Sequence, residues 1–210
     1  YMNETALLLI GMQNDHFSPL SPVRDMIDAP HRIDMVKDRI LNLVSHFVRT
    51  PLTMINLPIL FHKGHPEICQ EVGILAAIKN LGLFVDGTPG GCVIPELAQW
   101  RERIITLRGR TGFNAFVDTS LHTYLAENHI KRLVFAGSTT AVCIDSTARS
   151  GYELGYDVSV LRDCTVSRTP DEQDMYCQSI FPLYATVLNT EQFIATLTAN
   201  NIRRPISMAS

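Results

Sequence analysis

The segment Gly137-Ser138-Thr139-Thr140-Ala141-Val142-Cys143 joins an apolar run at 133–137 to a helix-like stretch that begins near residue 142. A cysteine at that spacing falls in the first turn of the helix. There the backbone amides lack intrahelical partners and the positive end of the helix dipole points outward. Such a setting favours a thiolate, and the same amides suit the oxyanion formed when a thiolate adds to a carbonyl. The chemistry on offer is nucleophilic, by way of a covalent acyl intermediate. A small buried cysteine beside capping threonines fits the same spacing equally well. Cys69, Cys92, Cys164 and Cys177 stand in no comparable setting, and Cys164 reads as core.

A second segment with chemical potential is Gly11-Met12-Gln13-Asn14-Asp15-His16-Phe17, which follows the apolar run at 5–10. His16 brings a side chain whose ordinary pKa suits a base near neutrality. Asp15 is the poorer base, because in such a turn its carboxylate tends to cap local backbone amides. Phe61-His62-Lys63-Gly64-His65-Pro66-Glu67 contains metal-ligand residue types, but the spacing fits no ligand pattern; it is read as a polar loop on the substrate side, and no metal is expected. The glycines of Gly87-Thr88-Pro89-Gly90-Gly91 lack the G-x-x-x-x-G-K-[ST] form, so no nucleotide phosphate is expected there. Trp100, Phe113 and Phe116 could line a pocket or fill the core.

The elements that must position these residues alternate regularly. Residues 5–10, 52–59, 103–107, 133–137, 156–161 and 185–188 read as strands. Residues 31–49, 74–81, 120–128, 142–154, 170–180 and 190–199 read as helices, the first with apolar residues at Ile33, Val36, Ile40, Leu43, Val44 and Phe47. The runs at 5–10 and 133–137 are continuously apolar, as expected of parallel strands covered on both faces. Strand and helix in alternation imply an α/β domain whose mostly parallel sheet carries helices on both sides. In such sheets ligands bind beyond the carboxyl ends of the strands, where Gly11 and the 137–143 segment would both lie.

With 210 residues, 46% of them hydrophobic and 19% charged, the chain is expected to form one globular domain spanning 1–210. A net charge of −3 offers no footprint for nucleic acid or an anionic membrane. No apolar run is long enough to span a bilayer, and the opening Tyr1-Met2-Asn3-Glu4 lacks the basic region of a secretory signal. Five widely spaced cysteines without a C-x-x-C pair argue against a disulfide framework and for a reducing cytoplasm. The expected partner is a small-molecule substrate, with no nucleic acid and no membrane.

Three segments resemble those of the isochorismatase-like cysteine hydrolases. Ala136 to Ile144, with Thr147-Ala148 and Gly155-Tyr156 after it, resembles the family's nucleophile segment. Ala6-Leu7-Leu8-Leu9-Ile10-Gly11-Met12-Gln13-Asn14-Asp15 resembles its first strand and turn, and Arg110-Thr111-Gly112-Phe113-Asn114-Ala115-Phe116 its middle motif. The resemblance runs from about residue 5 to 199, in family order. It implies a Rossmann-like, three-layer α/β/α fold, an Asp-Lys-Cys triad acting on a carbonyl compound, no cofactor, and assembly into homo-oligomers. It also implies a cis peptide bond entering Thr139, an oxyanion hole made by the amides of Thr139 and Cys143, and a pocket to which His16 and Phe116 contribute.

The sequence departs from that pattern at two of the three catalytic positions. Gly11 stands where the resemblance implies the aspartate, and Arg110 where it implies the lysine; Cys143 is kept. Arg110 preserves a positive charge but cannot release a proton. Loss of a general base is expected to cost roughly 10²–10⁴ in rate. Gly11 could be an altered position in an otherwise active enzyme, in which case Gly11→Asp is expected to fit, because that strand end opens into the crevice. Alternatively His16 serves as the base, or only shapes the pocket wall. A third reading is a homologue that binds a small carbonyl compound without turnover. Hydrolysis of a vinyl ether needs a proton donor but no nucleophile, so retention of Cys143 favours cleavage of an amide, imide or carbamoyl C–N bond.

Overall fold

The computed structural model of the protein describes residues 1–202, with side chains through residue 200. The single-domain expectation over 1–210 thus extends past the described residues. Six parallel strands form one sheet: β1 (Thr5–Ile10), β2 (Thr53–Leu57), β3 (Ile105–Thr106), β4 (Arg132–Ser138), β5 (Asp157–Val166) and β6 (Thr186–Leu188), in the order β3-β2-β1-β4-β5-β6. The fold is the α/β arrangement expected from the sequence.

All six residues of β1 are buried because the strand has a neighbour on each edge and helices on each face. Its side chains alternate between two cores. Leu7 and Leu9 pack into one that includes Ile33, Val36, Ile40 and Val44 of α1 (His31–Phe47). Ala6, Leu8 and Ile10 pack into the other, with Leu121 and Leu125 of the helix Leu121–Glu127 and Ala148 of the helix Asp145–Glu153. A period of two along the strand therefore builds both outer layers. Where β4 closes on the end of β1, a side chain at Gly137 would stand 2.0 Å from the Ile10 carbonyl oxygen, so only glycine fits.

β3 and β5 depart from their predicted spans for identifiable reasons. β3 is shorter because the amides of Arg103 and Ile104 close a turn on the Trp100 carbonyl (2.8 and 3.0 Å) instead of entering the ladder. β5 is longer because its pairing with β4 resumes beyond an irregularity, Gly137 opposite Thr165 and Ser138 opposite Val166, which carries Cys164 into the sheet. The order of the strands reverses direction between β1 and β4. Gly11 and Thr139 lead out of these two neighbouring ends, at the switch point where such sheets open a binding crevice.

Candidate active site

On the β4 side, the peptide bond between Ser138 and Thr139 is cis, as the resemblance implied. The chain then makes one π-helical turn, Thr140–Ile144, before entering the helix Asp145–Glu153. The Ile144 amide donates to the Thr139 carbonyl at 3.1 Å. Cys143 lies on this turn and keeps 6% exposure, while Thr140 is fully buried. Sequence gave no sign of the group that holds the turn from behind. Thr140 Oγ1 donates to Gln173 Oε1 at 2.7 Å, and Gln173 Nε2 donates to Thr165 Oγ1 and to the Arg162 carbonyl, each at 3.1 Å.

On the β1 side, Gly11 has φ +64° and its carbonyl accepts a 2.7 Å hydrogen bond from His16 Nδ1. A carbonyl only accepts, so Nδ1 carries the hydrogen and Nε2 is left with its lone pair. Burial is the main cause that holds His16 at a pKa of about 4; the nearby Arg110 charge adds to it and the Gly11 bond partly offsets it. The imidazole is therefore neutral at ordinary pH. It packs on Phe84 with ring centroids 4.5 Å apart.

The imidazole also occupies the space that a residue 11 side chain would need. A Cβ on Gly11 would stand 2.7 Å from His16 Nδ1 and Cε1 and 3.1 Å from the Ser138 carbonyl oxygen. The expectation that Gly11→Asp fits without disturbance is thereby corrected: the strand end does not open into free space but is capped by the His16 ring.

Arg110 is fully buried, and its hydrogen bonds go to backbone carbonyls. Nη2 donates to Leu57 (2.9 Å), Nε to Pro58 (3.4 Å), and Nη1 to Phe113 (3.4 Å) and Gly112 (3.5 Å). The Leu57 carbonyl also accepts from the Gly11 amide at 3.3 Å, which sets the guanidinium against the end of β1. The Phe113 carbonyl also accepts from Thr147 Oγ1 at 3.3 Å, one helical turn beyond Cys143. Arg110 thus bridges both walls of the crevice.

Phe116 does not belong to this group, contrary to expectation. It stacks on Tyr156 (centroids 6.1 Å apart, planes 19° apart) and meets His122 edge-on. Tyr156 precedes the first residue of β5, so Phe116 packs toward the amino ends of the strands. Asn114 turns it there by accepting from the Phe116 amide (2.9 Å) while donating to Ser150 Oγ (2.7 Å).

The remaining polar residues have structural partners. Asp15 Oδ2 accepts from the Phe84 amide at 2.6 Å, so this carboxylate caps a distant segment and not a local one; burial raises its pKa. A side chain at Gly90 would collide with that same carboxylate at 2.2 Å, which explains a glycine in the 87–91 segment. In the 61–67 segment His65 is buried and bonded to the Leu83 carbonyl at 2.7 Å, while His62, Lys63, Gly64 and Pro66 are exposed. All five cysteines are free. Among the described residues, no helix is long and apolar enough to cross a membrane.

The isochorismatase domain family matches residues 5–192. The chain is 28% identical over 200 residues to an uncharacterized isochorismatase family protein, YddQ, of Bacillus subtilis, covering 90% of this chain and 98% of that protein. It is 30% identical over 129 residues to the ureidoacrylate amidohydrolase RutB of Rhizobium rhizogenes, covering 61% of this chain and 48% of the relative. Among solved structures, an isochorismatase family protein from Desulfovibrio vulgaris superposes with a TM-score of 0.77 at 22% identity, over 93% of this chain and 98% of the other. N-carbamoylsarcosine amidase from Thermoplasma acidophilum superposes with a TM-score of 0.68 at 21% identity, over 90% and 97%.

Proposed function

The chain belongs to the isochorismatase family of hydrolases, and from that premise we propose that it cleaves an amide, imide or carbamoyl C–N bond of a small molecule through a thioester at Cys143. The observation that carries this reading is the convergence of the Cys143 turn, the Arg110 guanidinium and the neutral His16 ring on the adjoining ends of β1 and β4. The similarity to an amidohydrolase supports C–N cleavage, as does the chemistry, since a nucleophile is idle in vinyl ether hydrolysis but needed here.

In this mechanism the Cys143 thiol gives its proton to His16 Nε2 and the sulfur adds to the substrate carbonyl carbon. The amides of Thr139 and Cys143 receive the oxyanion. The C–N bond breaks as the imidazolium returns its proton to the leaving nitrogen. Water then adds to the thioester carbonyl, the neutral imidazole takes its proton, and the carbon–sulfur bond breaks to restore the thiol. Arg110 acts as a fixed charge that stabilises the anionic sulfur and does not move a proton. No cofactor takes part in these steps.

The test is ammonia release from a panel of small primary amides and carbamoyl compounds, with intact-mass detection of an acyl adduct at Cys143. Turnover by the unmodified protein that Cys143→Ala reduces to background supports the reading. Turnover unchanged in Cys143→Ala contradicts it. Gly11, which leaves no carboxylate at the strand end, favours one other reading, a protein that binds a carbonyl compound without cleaving it. That reading stands if the panel protects Cys143 from alkylation yet yields no product.

A further inference from the structure

An α-helix closes each amide on the carbonyl four residues back, so in that register the Cys143 amide would donate to the Thr139 carbonyl. The π turn Thr140–Ile144 is closed differently. The Thr139 carbonyl accepts from the Val142 and Ile144 amides, each at 3.1 Å, and these bonds step past the Cys143 amide between them. Such π turns are rare and concentrate at functional sites. What holds this one comes from outside it. Gln173 sits in the helix Pro170–Met175, whose start is fixed by a 3.0 Å bond from the Glu172 amide to Thr169 Oγ1. The Arg162 carbonyl only accepts, so the Gln173 amide nitrogen must face β5, where it also donates to Thr165 Oγ1. That leaves Oε1 to take the Thr140 hydroxyl at 2.7 Å. Thr165 is itself buried and paired opposite Gly137, so the anchor is a rigid part of the sheet.

We infer that Gln173 is a positioning residue: by tying the Thr140 hydroxyl to β5 it keeps the turn in its π register and the Cys143 amide free for the oxyanion. The inference rests on the hydrolase reading above, in which that amide receives the developing charge. Without the tie the turn relaxes toward α geometry, and the Cys143 amide turns onto the Thr139 carbonyl. Gln173 touches no reacting atom. Its loss therefore weakens attack on a carbonyl, which needs the amide, far more than reactions of the sulfur that develop no oxyanion.

Two probes separate these effects without knowledge of the substrate. With p-nitrophenyl acetate the Cys143 sulfur bonds to the acetyl carbon, the thiol proton passes to His16, the carbon–oxygen bond breaks and nitrophenolate leaves. Iodoacetamide alkylates the same sulfur by displacing iodide, with no oxyanion. Both rates are followed at Cys143 by peptide mapping. Gln173→Leu and Thr140→Val should each slow acylation by about tenfold or more, as partial loss of an oxyanion donor does, and alkylation by no more than about threefold, the scale of a displaced helix-start field. The double variant should lose no more than either single one, and Thr140→Ser, which keeps the hydroxyl, should retain acylation. Gln173 is half-buried, so Gln173→Leu decides alone should Thr140→Val fail to fold. Acylation that is unchanged, or that falls only in step with alkylation, overturns the inference and leaves the hydrolase reading intact. Alkylation without acylation in the unmodified protein overturns the free amide. Failure of both reagents at Cys143 overturns the nucleophile as well.

Discussion

Cys143 and Cys164 lie on neighbouring strands or their ends, both buried and both beside threonines, yet their surroundings differ in kind. Cys164 is inside β5, with no exposure and Thr190 Oγ1 at 3.3 Å; burial pushes its thiol up to about 12. Cys143 is past the end of β4, on a helical turn, with the Arg110 cation and the neutral His16 ring gathered at the same end of the sheet. Within the sheet the Cys164 thiol meets apolar packing and one hydroxyl, that of Thr190. Beyond the carboxyl edge a thiol meets first-turn amides and groups brought from other strands. Position relative to that edge, more than residue type or burial, separates a structural cysteine from a candidate nucleophile.

Substitution at the two sulfurs separates the two regions most strongly. Cys143→Ala should lower hydrolysis at least about a thousandfold, as loss of a nucleophile does, whereas Cys164→Ala should leave the rate within about twofold. Comparable losses in both variants would show that turnover follows general stability. Next comes His16. His16→Phe should lower the rate by about 10²–10⁴ if the ring moves the proton; unchanged turnover would leave it a pocket-wall residue.

His16 also makes a prediction about acid. Its folded pKa is about 4 against an ordinary 6.5. Between those values the unfolded chain binds a proton that the folded one refuses, so stability rises with pH across the window. The contribution is fully present above about pH 6.5 and is lost as pH falls to about 4, on the order of 3 kcal/mol. Urea unfolding at several pH values measures it, and His16→Phe should flatten the dependence between pH 4 and 6.5. An equal slope in that variant would assign the acid sensitivity elsewhere.

Smaller effects sharpen the same contrast. Gly11→Asp should cost about 1–3 kcal/mol, because its side chain collides with the His16 ring at 2.7 Å. Combining it with His16→Ala should recover part of that loss, read as the urea midpoint; no recovery would mean that the φ of +64° and not the ring excludes side chains there. Cys164→Ala should cost about 1–2 kcal/mol through the small cavity it leaves.

Much of the scaffold was legible because burial imposes a period. The unbroken apolar run of β1 and the helical spacing of α1 each match their observed bounds closely. The Cys143 turn was legible because an apolar strand, a glycine and a threonine pair precede it in order. The rest depended on contacts that spacing does not encode. The His16 ring meets Gly11 through a left-handed turn, and Gln173 reaches Thr140 from 33 residues away with no local signal. Phe116 misled because Asn114 folds its loop back along the helix that follows Cys143. Arg162-Asp163 hid the second half of β5, since charged residues there interrupt the apolar run while Arg39 of α1 pairs with Asp163 at 3.2 Å.

Activation of Cys143 by the end of β4 is read from the order in which the cysteines are alkylated. Iodoacetamide near neutral pH, followed by peptide mapping over time, ranks all five cysteines in one sample. Accessibility alone would put the exposed Cys69 and Cys92 first and Cys143, at 6% exposure, well behind them. An activated thiolate gives the reverse, with Cys143 modified before either and Cys164 last. Labelling of Cys69 and Cys92 while Cys143 stays unmodified would contradict that activation.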